Sequence, residues 1–254
     1  ATGFSGTVNI FLPELEENKF KAIIGDNDEK IGVYYALTGS YPTSKNNYYT
    51  YNDEKSIFEI LMREKYNCLI DIAAIFRDES NKDVIIKILK MEGYKHFNGI
   101  YLDINDNIKI TDISGHENNF TKFPENDFII FFSQRNIVGI DIPNQPNNMK
   151  GLAIISKSER YTNVAQAIYR MRKLNKGQTI DIAYEEDSVT DTEDTEDTDT
   201  EDTEDTDTED TEDTDTEDTE DTDTDYIKKI NVYNNILENE FKYNENNEEF
   251  LNLQ

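Results

Sequence analysis

The chain has one cysteine, no tryptophan, two histidines and five prolines in 254 residues. A single thiol, Cys68, excludes an internal disulfide framework, and the lack of any Cys/His cluster excludes a structural zinc site. A reducing compartment, cytoplasmic or nuclear, fits that usage. No run approaches the roughly 18 consecutive apolar residues of a membrane span, so no membrane partner is expected. The opening ATGFSGTVNIF has neither a basic n-region nor a cleavage-like segment. It begins with Ala1 rather than Met, and its first residues read as the middle of something, which predicts a fragment of a longer protein. Also lacking are a GxxxxGK[ST] phosphate loop and a paired Asp-Glu metal motif after a strand. Alone, these residues are not expected to hydrolyse ATP, and no cofactor is expected in them.

Positive charge is scarce, with 25 Lys or Arg against 54 Asp or Glu. Most of the imbalance is local. Residues 185–225 hold 25 of the acids and no base, and from Thr192 to Asp223 the octad TEDTEDTD recurs four times. With adjacent carboxylates repelling one another and almost nothing to bury, this tract is predicted to be extended and disordered. It reads as a simple-sequence expansion in a surface insertion, or as an acidic arm or phosphorylation array. The rest of the chain is nearly neutral, which argues against a nucleic-acid partner recognised through net charge.

From residue 20 to 184, short β-branched runs alternate with helical stretches, the pattern of an α/β domain on a mainly parallel sheet covered by helices. Strands are predicted at Lys21–Ile24, Gly32–Ala36, Cys68–Ile72, Gly99–Leu102, Ile108–Thr111, Phe128–Phe132, Leu152–Ile155 and Thr179–Ile182. Asp53 or Ser56 caps a first helix through Lys65, Ser80 caps a second, and a third runs from about Thr162 to Leu174. Asn105-Asp106 reads as the turn of a hairpin over 99–111. After the acidic tract, residues 226–254 form a tail. Apolar residues recur there every three or four positions from Ile227 to Phe241, which predicts an amphipathic helix.

Two segments suggest chemistry. In GIDIP, Gly139–Pro143, a Gly-x-Asp at a strand's carboxyl end lets backbone approach a ligand and places the Asp141 carboxylate at its hydroxyls. About 25 residues later, QAIYRMRKLNKGQ presents Gln166, Arg170 and Arg172 on one helix, a clamp suited to phosphate. Cys68, in NCLIDIAAIF, is the one candidate nucleophile, with His96 or His116 as its base. Its place at the start of a buried strand predicts inert packing. The fragments DNDEK and DINDN lack the spacing of a calcium loop, and no metal site is expected.

GIDIP and QAIYRMRK resemble the Gly-x-Asp and Gln-x-x-Gly-Arg-x-Gly-Arg motifs of the second RecA-like lobe of superfamily-two helicases. Tyr169 and Arg172 stand where the motif has Gly, and Lys173 where it ends in Arg. ATGFSGT resembles the interlobe turn of such proteins, with Thr2, Gly3, Ser5, Gly6 and Thr7 in it. ATGFSGT, LIDIAAIF, FNGIYLDINDNI, GIDIP and YRMRKLNKGQTI together resemble the C-terminal helicase-like region of very large fungal and protist proteins classed with ubiquitin thioesterases, the deubiquitinases. MRKLNKGQ is the most specific piece. The resemblance implies a RecA-like second lobe over residues 1–184. Its partners would be an upstream first lobe, which would hold ATP and Mg, and ubiquitin or ubiquitinated proteins. Gly139, Asp141, Gln166, Arg170 and Arg172 would face nucleotide. A non-catalytic interaction module derived from such a lobe, or a nucleic-acid-dependent ATPase lobe, are the other readings.

Overall fold

The computed structural model describes residues 46–186 and 229–245, save 126, 138, 175 and 230. The predicted strands at 21–24 and 32–36, the turn at Thr2–Thr7 and the acidic repeat lie outside the described residues. Eight strands form one sheet: β1 (Tyr48–Tyr51), β2 (Cys68–Asp71), β3 (Asn98–Leu102), β4 (Ile108–Thr111), β5 (Glu117–Asn119), β6 (Phe128–Phe132), β7 (Lys150–Ile155) and β8 (Thr179–Glu185). Their spatial order is β1-β8-β7-β2-β6-β3-β4-β5. Every neighbouring pair from β1 to β3 is parallel, and β3-β4-β5 is an antiparallel extension. The chain is thus an α/β protein on a mixed sheet. The turn of the β3–β4 hairpin is fixed by Asp103, whose carboxylate accepts from the N–H groups of Asn105 and Asn107. Asp106 takes the left-handed conformation there, φ 62°.

Because successive residues of a strand point to opposite faces, the apolar runs divide into two cores. Leu69, Ile129, Phe131, Leu152 and Ile154 face α1 (Glu54–Arg63) and α2 (Asn81–Leu89), which bury Ile57, Ile60 and Leu61, and Val84, Ile85, Ile88 and Leu89. Cys68, Ile70, Ile130, Phe132, Ala153 and Ile155 face the other way, toward α3 (Tyr161–Ile168) and α4, a helical segment over 231–245 that contributes Ile236 and Leu237. Each such side chain taken fully from water is worth about 1.5–3 kcal/mol. Two strands carry no clear sequence signal. β1 is the tyrosine-rich Tyr-Tyr-Thr-Tyr, and β5, the sequence Glu-Asn-Asn, is exposed at each position and pairs with β4 alone.

A buried polar cluster ties β1, β7 and β8 to the α1 side. Asp181 is 1% exposed and accepts from Asn47 N at 2.9 Å and Tyr66 Oη at 2.8 Å, with Lys150 Nζ at 3.1 Å. Lys150 also donates to Glu64 at 2.7 Å. Burial, then the Asp181 carboxylate, pushes the Tyr66 hydroxyl well above its ordinary range.

α3 is shorter than its periodic pattern, which continues to Met171. Past Ile168 the chain tightens into i→i+3 turns, with Arg170 N bonding Ala167 O and Met171 N bonding Ile168 O. Gln145 causes this by competing for the last turn. Its Nε2 donates to Arg170 O at 2.7 Å and its Oε1 accepts from Arg172 N at 3.2 Å.

Candidate functional site

The connection from β6 to β7 carries Gly139 and Asp141, and the end of α3 carries Arg170 and Arg172. These two segments come together. Gly139 turns the chain with φ +81°, in space open enough that only its backbone conformation, not crowding, favours glycine. Ile142 then plugs into the core and anchors the loop.

The two arginines differ. Arg170 is 3% exposed and spends its donors on backbone carbonyls: Nη1 on Ile140 O, and Nε on Gln166 O at 3.4 Å. Burial, and then the like charge of Arg172, lower its pKa, with Asp141 opposing; a guanidinium nonetheless stays charged. Arg172 keeps a quarter of its side chain exposed. It donates through Nε to Asp141 Oδ1 at 3.1 Å and lies 4.4 Å over the Tyr169 ring. Lys173 is committed to the loop, donating to Gln145 O at 2.5 Å and Asn147 Oδ1 at 2.8 Å. Gln166 takes part here through its carbonyl.

The position of this cluster departs from the sequence expectation. The pattern places the Gly-Asp corner and the arginine helix at the carboxyl edge of the sheet. In the structure α3 runs back antiparallel to β7, so its end lies by the amino ends of β7 and β8. Lys150 pairs with Thr179 there, and Met171 Sδ packs on Gly151. Asp141 lies on the way down from β6 to that same edge.

No family model, curated protein or solved structure matches the chain. The geometry alone therefore carries the reading. Sequence reasoning passes over the residues that lock the two segments together. Gln145 and Gln178 are buried amides, 2% and 1% exposed, that bond each other at 3.3 Å. Gln178 also accepts from Lys173 N at 2.8 Å and donates to Pro146 O at 2.7 Å. Gly177 sits where a Cβ would meet Asn147 O at 2.7 Å, with φ +108°, so no other residue fits this crossing. Amides at these positions break no periodicity and so leave no sequence signal. The glycine is the one local clue.

The opposite, carboxyl edge holds a cleft of about 420 Å³ at the ends of β2, β3 and β6. Arg77, Lys82 and Arg135 line it together with Asp71, Asp103 and Glu117. Of these charges Lys82 and Glu117 pair with each other, whereas Arg77 meets Asp78, Arg135 meets Asp106 and Asp103 meets Lys109. Lys82 meets Glu117 at 3.2 Å, and Arg135 donates to Ile104 O at 2.9 Å. Asp71 is 1% exposed, and its oxygens accept from Ile75 N and Phe76 N, both at 3.0 Å. This holds a turn in which Ala74 adopts φ 57°. Burial pushes the Asp71 carboxyl up to about 6.

Cys68 is fully buried and its thiol is pushed up by burial, the opposite of what a nucleophile needs. His96 is exposed and contacts Asp127 at 3.0 Å. Among the described residues no group of three or more His, Cys, Asp or Glu is placed to hold a metal ion, and no helix is long and apolar enough to cross a membrane.

Proposed function

We propose that the described α/β body is a RecA-like second lobe that closes over nucleotide held by an upstream first lobe, within a large hydrolase of the ubiquitin-thioesterase class. The observation that carries this reading is the meeting of Arg172 with Asp141, 31 residues apart in sequence, at 3.1 Å beside the Gly139 turn. The mainly parallel sheet supports it, and the cluster's place at the amino edge, opposite the carboxyl-edge cleft, counts against it. In this reading the roles divide by exposure. Arg172 is the phosphate-facing charge, oriented by Asp141 below and the Tyr169 ring beside it. Arg170 is the clamp that fixes the Ile140 carbonyl and so the Gly139–Asp141 corner. ATP and Mg would belong to the first lobe. Ubiquitin cleavage belongs to a cysteine elsewhere, because Cys68 is packing.

One observation favours a second reading, a non-catalytic interaction module derived from such a lobe. Arg170 is buried on carbonyls and Lys173 is tied to its own loop, which leaves one guanidinium where two would act. ATP turnover by the full-length protein separates the two. Arg172→Ala is expected to lower it about ten- to a thousandfold, with partial recovery in Arg172→Lys. Arg170→Ala is expected to fall in the same range by releasing the loop. Turnover unchanged by both substitutions would leave the interaction module. Cys68→Ala is expected to leave ubiquitin cleavage intact.

A further inference from the structure

The helix that leads to Arg170 does not cap itself. Its N-cap residue, Arg160, makes no side-chain capping bond, and eight residues are too few for a helix to persist on propensity alone. The cap comes from α4. Glu240 Oε2 accepts from Thr162 N at 3.0 Å, the second helical position, and so puts a carboxylate on the positive end of the helix. Glu240 is only 6% exposed, and the bond it accepts from Thr162 is partly buried.

Its neighbour Asn239 donates through Nδ2 to the carbonyls of Lys157 at 2.6 Å and Glu159 at 3.0 Å, which fixes the turn between β7 and α3. The Arg160 guanidinium lies 3.7 Å over the Tyr243 ring, and Tyr161 meets Tyr233 edge-on at 6.0 Å. Ile236, fully buried, enters the same core as Val164 and Ile168. Asn235 Nδ2 reaches Tyr184 Oη at 2.5 Å. Thus α4 supplies the start of α3, the turn before it and part of its apolar cover.

The far end of α3 holds the candidate site. Arg170 and Arg172 follow Ile168 directly, and their contacts to Ile140 and Asp141 depend on where that end lies. The two ends of one short helix are thereby linked: the tail sets the start, and the arginines read out the finish. The tail lies beyond the sheet in sequence, past residues 187–228, so α4 meets α3 as a long-range contact.

We infer that α4 is a latch on α3, and that its docking sets the geometry of the Arg170–Arg172 and Gly139–Asp141 cluster. Glu240 is the positioning residue of that latch. The inference uses the proposed site but not its ligand.

Hydrogen exchange on the whole chain, without nucleotide, tests it in four forms: unsubstituted, Ile236→Asp to undock α4, Glu240→Ala to remove only the cap, and Glu240→Asp as the conservative control. Exchange over 161–173 is expected to rise about tenfold or more in Ile236→Asp and less in Glu240→Ala, while α2 stays protected. A peptide spanning 229–245, added in trans, is expected to restore protection to the Ile236→Asp chain. Unchanged exchange over 161–173 would overturn the latch, as would α2 opening in parallel or failure of the peptide to restore protection. Because no nucleotide is present, loss of the phosphate-site reading would not alter these outcomes.

Discussion

The helices on the two faces of the sheet begin in different ways. On one face α1 and α2 cap themselves. Asp53 accepts from Ser56 N at 2.8 Å, and Ser80 Oγ accepts from Asp83 N at 3.1 Å. On the other face α3 starts at an arginine with no capping bond, and its cap arrives on Thr162 N from Glu240, 78 residues later. A helix with a local start signal can form as soon as its own apolar face is covered. A helix without one depends on a distant segment returning, and that dependence is a handle by which its position can be changed.

Four experiments sharpen or break this contrast. The largest effect is expected on the α1/α2 face, where one carboxylate serves Tyr66, Asn47 and Lys150. Asp181→Ala removes the acceptor that Tyr66, Asn47 and Lys150 share and leaves the Lys150 ammonium with Glu64 alone, and is expected to cost about 3 kcal/mol, read as a lower urea midpoint. A loss as small as that of an ordinary surface change would mean that the cluster is relaxed.

The second concerns pH. The Asp71 carboxyl, on the same face, is pushed up to about 6 from an ordinary 3.8, mainly by burial. A raised folded-state value means that the fold prefers the protonated form. The stabilising contribution is present below pH 3.8 and is lost as pH rises through about 6. Urea midpoints across that window should carry a downward component on the order of 2–3 kcal/mol that Asp71→Asn removes. An identical profile in Asp71→Asn would show that other groups set the dependence.

A smaller effect comes from paired glycines. A Cβ on Gly99 meets Ile85 of α2, whereas a Cβ on Gly151 meets the Met171 sulfur just beyond α3. The branched isoleucine cannot yield, but methionine can. Gly99→Ala is therefore expected to cost about 1–3 kcal/mol and Gly151→Ala under about 1 kcal/mol, compared by thermal unfolding. Equal losses would mean that the two faces are equally rigid. The smallest effect is Ser80→Ala, about 1 kcal/mol, with exchange rising in α2 and not in α3. Opening of α3 in that variant would break the independence of the faces.

What was legible in the sequence follows the same division. The Ser80 cap, the periodic Val84, Ile85, Ile88 and Leu89, and the Asn105-Asp106 turn are local signals, and the structure has a helix and a hairpin there. The two-sided apolar runs LIDIAAIF and FIIFF read as covered strands; FIIFF is a buried strand throughout, but the first run is strand only to Asp71 and turns at Ala74. The end of α3 was not legible, because Gln145 takes its last hydrogen bonds from a loop 25 residues away. Nor was the edge at which the arginines lie. A Gly-x-Asp after a strand suggests a carboxyl-edge corner, but the connection runs on past the corner to the amino edge. Spacing records which residues can meet, whereas the direction of the helix decides where. The buried Asp181 had a faint signal, an acid between apolar residues in Thr179–Glu185, and its partners had none.

In the proposed function the guanidinium of Arg172 faces nucleotide. The most direct test is hydrogen exchange of the full-length protein with and without a non-hydrolysable ATP analogue. Added protection confined, among the described residues, to 139–147 and 169–173, and lost in Arg172→Ala, is the expected result. Binding of the analogue with exchange in those two segments unchanged would contradict it.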